Sequence, residues 1–154
     1  SSLSNEIVGK KLGNKFFYKT DIPEIINKGY SFDIVSMIGV VEHLVEPKSV
    51  LENVYNLLNT HGVLFILIPN LHSAANEILG INTPTLNPRE HLNFFTRDSL
   101  TTMLNKIGFR VTMYSQELPV IDLMWDYFTY SMADKQKIIN DDNAYYHLHY
   151  AIKE

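Results

Sequence analysis

The chain has 154 residues, of which 45% are hydrophobic and 19% are charged, a balance typical of one globular domain rather than of a disordered chain. Its formal net charge of −4, without a block of like charges, disfavours a nucleic-acid-binding groove. Cysteine is absent, which excludes disulfides, thiolate metal sites and a cysteine nucleophile.

No apolar run is long enough to cross a bilayer, and the first residues lack the basic and then apolar pattern of a signal peptide. We therefore expect a cytoplasmic protein without a membrane partner. There is no internal repeat, low-complexity tract or convincing linker, so residues 1–154 are expected to form a single domain.

The first predicted elements are short. Ser4 to Leu12 favours a helix, and Lys15 to Tyr18 favours a brief strand of apolar and aromatic residues. Asp21 follows the carboxyl end of that strand. Pro23 to Asn27 predicts one helical turn, which Gly29 ends.

The stretch from Phe32 to Asn70 predicts a strand, a helix and a second strand. Phe32 to Val41 is a nearly unbroken apolar run, which favours a strand buried on both faces. Pro47 suits the start of a helix, and the apolar residues after it recur on one helical face. Gly62 can adopt the left-handed conformation that ends a helix, and Val63 to Ile68 predicts the second buried strand. Such a unit is a parallel crossover, and ligands bind beyond the carboxyl ends of its strands.

The next elements alternate between helix and loop. Leu71 to Leu79 favours a weak helix, and Gly80 to Arg89 predicts a loop of the length that often covers a ligand. Phe95 to Gly108 predicts a helix with Thr96 as its N-terminal cap. Phe109 to Tyr114 predicts a strand.

The last part of the chain predicts a helical insertion at residues 117–140 and then a final strand from Ala144 to Lys153, where apolar residues alternate. This alternation puts His147 and His149 on one face. Two histidines alone are more typical of an exposed strand face than of a metal site, and we predict no metal.

Several short motifs occur in a fixed order along the chain. They are Phe32-Asp33-Ile34-Val35, Glu42-His43, Leu57-Leu58-Asn59-Thr60-His61-Gly62, Pro69-Asn70 and Glu90-His91-Leu92-Asn93-Phe94-Phe95-Thr96. Together they resemble class I S-adenosylmethionine-dependent methyltransferases, in the subgroup that acts on small molecules. The resemblance implies an α/β, Rossmann-like methyltransferase sheet, mainly parallel with an antiparallel final hairpin.

The chain departs from that family at its amino-terminal side. Its seven glycines contain no Gly-x-Gly pair, so the family's cofactor loop is absent, and no acidic residue occupies the end of a second strand. We therefore expect an incomplete domain, the carboxyl-terminal part that lacks the family's first two strands. The sheet edge left open is expected to pair with a second copy or a partner segment, or to rearrange.

The resemblance implies five cofactor-binding residues. Asp21 and Ile22 correspond to residues at the adenine, and Met37, Ile38 and Gly39 correspond to the mouth of the central strand. The alternatives are that Asp21 caps the following helix turn and that Met37 packs in the core.

Two histidines are candidate catalytic bases, because histidine titrates near neutral pH. They are His43 and His91. The alternatives are that Glu42 caps the following helix while His43 packs structurally, and that His91 holds the loop closed. Asn70 and His72 lie at the end of the second strand and either line the same cleft or face solvent.

The predicted function is methyl transfer from S-adenosylmethionine to a small-molecule oxygen, nitrogen or carbon. This segment alone is expected to bind the cofactor weakly or not at all. The first alternative is a non-catalytic methyltransferase-like module for binding or assembly. The second is a different doubly wound ligand-binding domain, which leaves the Glu-His pairs unexplained.

Overall fold

The computed structural model describes residues 6–7, 10–11, 21–73, 76–77, 83–117 and 146–153. These residues contain the helices α1 (Ile22–Asn27), α2 (Pro47–Leu57) and α3 (Arg97–Ile107). They also contain the strands β1 (Phe32–Ile38), β2 (Leu58–Pro69), β3 (Phe109–Glu117) and β4 (Tyr146–Lys153). Two single 3-10 turns span Val41–His43 and Pro84–Leu86.

The four described strands form one sheet in the order β1–β2–β4–β3. β1 and β2 run parallel, with Met37 opposite Ile66 and Ile38 opposite Leu67. β4 is antiparallel to both of its neighbours, β2 and β3. Since α2 joins β1 to β2, the predicted parallel unit is present, and its two carboxyl ends lie at one edge of the sheet. The predicted α/β class with an antiparallel final hairpin is confirmed.

One hydrophobic cluster joins the sheet to the two longer helices. From Leu64 to Ile68 every second residue of β2 points into it, since side chains alternate between the faces of a strand. The helices contribute apolar residues at three- and four-residue spacing, which places them on one helical face. The fully buried members from β2, α2 and α3 are Leu58, Leu64, Ile66, Ile68, Leu51, Val54, Leu100 and Leu104.

The prediction that Phe32 to Val41 is buried on both faces is wrong for β1. Met37 is the buried residue of this strand, whereas Ile34 is 69% exposed and Ile38 is 59% exposed. A strand is buried on both faces only where other elements cover both. In the described part of the chain β1 ends the sheet and pairs with β2 alone, so its other edge is open.

The bounds of α3 follow the sequence prediction closely. The hydroxyl of Thr96 accepts a hydrogen bond from the backbone N–H of Ser99, and the Ser99 hydroxyl accepts one from the N–H of Thr96. At the other end Gly108 has a φ of +117°, the left-handed conformation that ends a helix. Both ends are therefore fixed by local chemistry.

The prediction that Gly62 adopts the left-handed conformation in the turn after α2 is wrong. β2 already begins at Leu58, and the residue with a positive φ in this turn is His61, at 64°. Glycine is needed at 62 because a Cβ there would lie 2.8 Å from the carbonyl oxygen of Asn59. Close backbone approach, rather than backbone conformation, therefore selects this glycine.

We expect Gly62→Ala to lower the free energy of unfolding by about 2 kcal/mol, because the added methyl group would collide with backbone that cannot move independently. Urea unfolding followed by circular dichroism measures this. The control is His61→Asn, since asparagine tolerates the left-handed region, and its effect should stay within about 0.5 kcal/mol. A Gly62→Ala protein as stable as the control would contradict the steric account.

Several predicted elements lie largely or wholly outside the described residues. They are the helices at Ser4–Leu12 and Leu71–Leu79, the strand at Lys15–Tyr18, and the insertion at 117–140 from residue 118 onward. Among the helices in the described ranges, none combines the length and the apolar composition that crossing a membrane requires.

Candidate functional site

The chain turns sharply where β1 ends. Gly39 has a φ of +61°, and its N–H donates to the carbonyl of Leu67 in β2 at 3.0 Å. The single turn Val41–His43 follows directly. It buries the side chain of Glu42 and leaves that of His43 exposed. A buried carboxylate and an exposed imidazole therefore lie side by side at the carboxyl end of a parallel strand.

A second segment docks on this turn through its backbone. The N–H groups of Leu92 and Asn93 both donate to the carbonyl of Glu42, at 2.9 and 3.0 Å. The Asn93 side-chain amide donates to the carbonyl of Leu44 at 2.6 Å. These hydrogen bonds hold the segment that carries His91 against the turn.

The two predicted histidines meet at this junction, with ring centroids 4.9 Å apart. The Nδ1–H of His43 donates to the carbonyl of Glu90 at 2.5 Å, and that of His91 donates to the carbonyl of Thr85 at 2.8 Å. A carbonyl only accepts, so Nδ1 of each ring carries a hydrogen, and Nε2 carries the lone pair when the ring is neutral. Nε2 of His43 lies 4.0 Å from Oε1 of Glu42. We call Glu42, His43 and His91 the histidine–carboxylate cluster.

The five residues predicted to bind a cofactor are divided between the core and the surface. Asp21 is exposed and caps α1, its Oδ1 accepting a backbone N–H of the first turn at 2.9 Å, which is the alternative stated for it. Ile22 packs against the core, and Met37 is buried in it. Ile38 and Gly39 are exposed at the end of β1. These two residues are therefore accessible to a ligand at the carboxyl ends of the parallel strands.

Comparison with known proteins identifies the family. A family model described as a methyltransferase domain matches residues 4–114, which is most of the chain. The chain belongs to the methyltransferase domain family. The predicted resemblance is thereby confirmed. A comparison with the sequences of curated proteins finds no significant match.

Solved structures of S-adenosylmethionine-dependent methyltransferases share the fold. One from Thermotoga maritima, described as a possible histamine N-methyltransferase, is 16% identical with a TM-score of 0.56, and the match covers 81% of this chain and 57% of that one. One from Archaeoglobus fulgidus is 20% identical with a TM-score of 0.59, covering 93% and 71%. Magnesium protoporphyrin IX methyltransferase from Synechocystis PCC 6803, solved with bound SAH, is 11% identical with a TM-score of 0.55, covering 94% and 57%. This chain spans less than two thirds of the first and third of these structures.

Behind His91, this methyltransferase-family chain has a buried polar network that the sequence analysis missed. The side-chain amide of Asn76 donates to the carbonyls of residues 70–71 at 3.0 and 3.1 Å. Its Oδ1 accepts from the hydroxyls of Thr83 and Thr85 at 2.8 and 2.7 Å. Thr85 is also the residue whose carbonyl accepts from His91. Isolated polar residues with no period and no motif gave no sequence signal for this network.

Asn70 and His72 line a different cleft of the methyltransferase fold. This cleft has a volume of about 310 Å³ and lies between the end of β2, the start of α3, and Tyr114 and Gln116 of β3. Asn70 is buried and its amide donates to Gln116 at 3.3 Å, while His72 is exposed. No member of the histidine–carboxylate cluster lines this cleft.

The prediction that His147 and His149 share an exposed face is wrong for His149, which is fully buried in β4. Burial first, and the positive charge of Arg97 second, lower the pKa of His149 to about 4. The ring of Tyr114 lies between these groups, 5.1 Å from the His149 ring, with the Arg97 guanidinium 4.4 Å above it. The side chain of His147 lies outside the described part of the chain.

Proposed function

We propose that this protein takes part in methyl transfer from S-adenosylmethionine to a small-molecule acceptor. The match of residues 4–114 to the methyltransferase domain family carries the proposal. The exposed end of β1 and the histidine–carboxylate cluster lie at the edge of the sheet where open α/β sheets bind their ligands. Such a reaction needs alignment of acceptor, methyl group and sulfur, and a base where the acceptor carries a proton.

We assign the cofactor side to the end of β1 and the acceptor side to His91. Gly39 lets a cofactor approach the backbone, and the exposed side chain of Ile38 lies next to it. In its neutral form, His43 or His91 accepts the acceptor's proton at Nε2. Phe94, 39% exposed with its ring 6.5 Å from that of His91, offers an apolar wall to the acceptor.

The test uses the complete reading frame that encodes this chain. The purified protein is incubated with S-adenosylmethionine carrying a labelled methyl group and with a panel of small hydroxyl, amine and activated-carbon compounds. Transfer of label to at least one compound is expected. A folded protein that binds neither S-adenosylmethionine nor S-adenosylhomocysteine would refute the proposal in favour of a non-catalytic module. The 154-residue chain alone is expected to bind S-adenosylhomocysteine weakly, because none of the described residues pairs with the far side of β1 beside Ile38. Low-micromolar affinity would contradict this part.

The role of Gly39 has a matched control in Gly29. Both glycines are exposed with a positive φ, +61° and +79°, and neither has an atom within 3.4 Å of an added Cβ. Alanine at either position therefore costs similar backbone strain. In calorimetric titration of the complete protein we expect Gly39→Ala to weaken cofactor binding about tenfold, or 1.4 kcal/mol, and Gly29→Ala to leave it unchanged. Equal affinities for the two variants would remove Gly39 from the cofactor site.

A further inference from the structure

The histidine–carboxylate cluster has the composition and spacing of a metal site. One ligand atom from each of Glu42, His43 and His91 lies within 4.8 Å of the others. Ligand atoms on one zinc ion are about 3 to 4 Å apart, because each bond to the metal is about 2.0 to 2.2 Å long. Binding an ion would therefore draw the three ligand atoms about 1 Å closer together.

The hydrogen bonds around the two rings prepare them as ligands. Both Nδ1–H groups donate to backbone carbonyls, those of Glu90 and Thr85. Metal-binding histidines in proteins usually donate their second N–H to a carbonyl or carboxylate, which fixes the tautomer and the ring orientation. In their neutral forms, His43 and His91 thus present the Nε2 lone pair that binds a metal.

The carboxylate supplies an independent indication that something binds here. Glu42 is only 3% exposed, and its Oε2 accepts no hydrogen bond from the described residues. A buried carboxylate oxygen without a donor is costly, and a bound cation removes that cost. His43 is exposed and His91 is partly so, which leaves an entry path and open coordination positions.

We propose that Glu42, His43 and His91 bind one divalent transition-metal ion of the zinc type. Two imidazoles and one carboxylate suit such an ion better than magnesium, which prefers an all-oxygen set with several waters. The three protein ligands leave at least one position for water or for an oxygen of the acceptor. The proposal departs from the prediction of no metal. It concerns binding alone and does not depend on methyl transfer. Because an Nε2 atom bound to an ion cannot also accept a proton, the base role of His43 and His91 belongs to the metal-free protein.

The test is metal binding by the 154-residue chain after treatment with a chelator. Zinc is titrated calorimetrically, and cobalt(II) is titrated while its visible absorption bands report the ligand geometry. We expect one ion per chain with a dissociation constant of about 1 µM or lower. Glu42→Gln and His91→Asn should each weaken binding about 100-fold or more, since loss of an outer partner alone costs 10- to 100-fold.

His61→Asn is the matched control, because it removes an exposed histidine far along the chain from the cluster. It should keep the wild-type stoichiometry and affinity. Thermal unfolding separates binding from folding. Zinc should raise the melting temperature of wild type and of His61→Asn, but not that of Glu42→Gln, which should fold without metal at least as well as wild type. Failure of the wild-type chain to bind one ion, or binding by Glu42→Gln equal to that of His61→Asn, would overturn the proposal.

Discussion

Replacement of Asn76 by Asp is expected to lower the free energy of unfolding by about 3 to 5 kcal/mol. The Asn76 amide donates to two carbonyl oxygens, and the side chain is buried, so a carboxylate there faces acceptors with no proton to share. The two threonine hydroxyls keep their acceptor, but they cannot offset the lost donors. Urea or thermal unfolding followed by circular dichroism measures the change.

Asn56→Asp is the control for this variant, because it makes the same chemical change at an exposed position of α2. Its cost should stay near a few tenths of a kcal/mol, from a negative charge near the helix C-terminus. Asn76 also holds Thr85, whose carbonyl positions His91. We therefore expect Asn76→Asp to weaken zinc binding at temperatures where the variant is still folded. Equal stability of the two aspartate variants would show that the hydrogen bonds of Asn76 do not stabilise the segment that carries Thr85 and His91.

The second expected result is a loss of stability as the pH falls from about 6.5 to about 4, caused by His149. The folded protein holds the pKa of His149 near 4, whereas the unfolded chain takes up that proton near the ordinary value of 6.5. Between these values the unfolded state binds more protons, so lowering the pH favours unfolding. The shift in pKa corresponds to a loss of about 3 kcal/mol in the free energy of unfolding across this pH window, and to no loss above it.

His149→Phe tests this account, since phenylalanine keeps an aromatic ring against Tyr114 and cannot be protonated. Urea unfolding at a series of pH values from 7 to 4 should show a much shallower pH dependence for this variant than for wild type. His72→Asn removes an exposed histidine and should retain the wild-type slope. If His149→Phe and His72→Asn lose stability in parallel with wild type, the acid sensitivity lies in other groups.

The elements that the sequence predicted well are those encoded by neighbouring residues. The apolar spacing in α2 and the caps of α3 at Thr96 and Gly108 act within one or two helical turns, so they can be read without knowing the fold. The Phe32–Val35 and Glu42-His43 motifs and their order identified the family for the same reason. Gly62 shows the limit of such predictions. The sequence indicated that a glycine is needed there, but not that the Asn59 carbonyl leaves no room for a Cβ.

The histidines show what neighbouring residues in the sequence do not predict. The sequence marked His43 and His91 separately, but only the backbone bonds from residues 92–93 to Glu42 bring the two rings together. Burial of His149 likewise depends on its neighbours in two adjacent strands, and the exposure of Ile34 depends on which elements cover β1.

By itself the sequence determined the family, the α/β class and the succession of helices and strands. Apolar residues recur every two residues in a strand and every 3.6 residues in a helix, and both periods can be read along the chain. The tertiary structure alone decided which polar groups share a site and which titratable group is buried. Those properties come from contacts between residues far apart in sequence, and no local pattern encodes them.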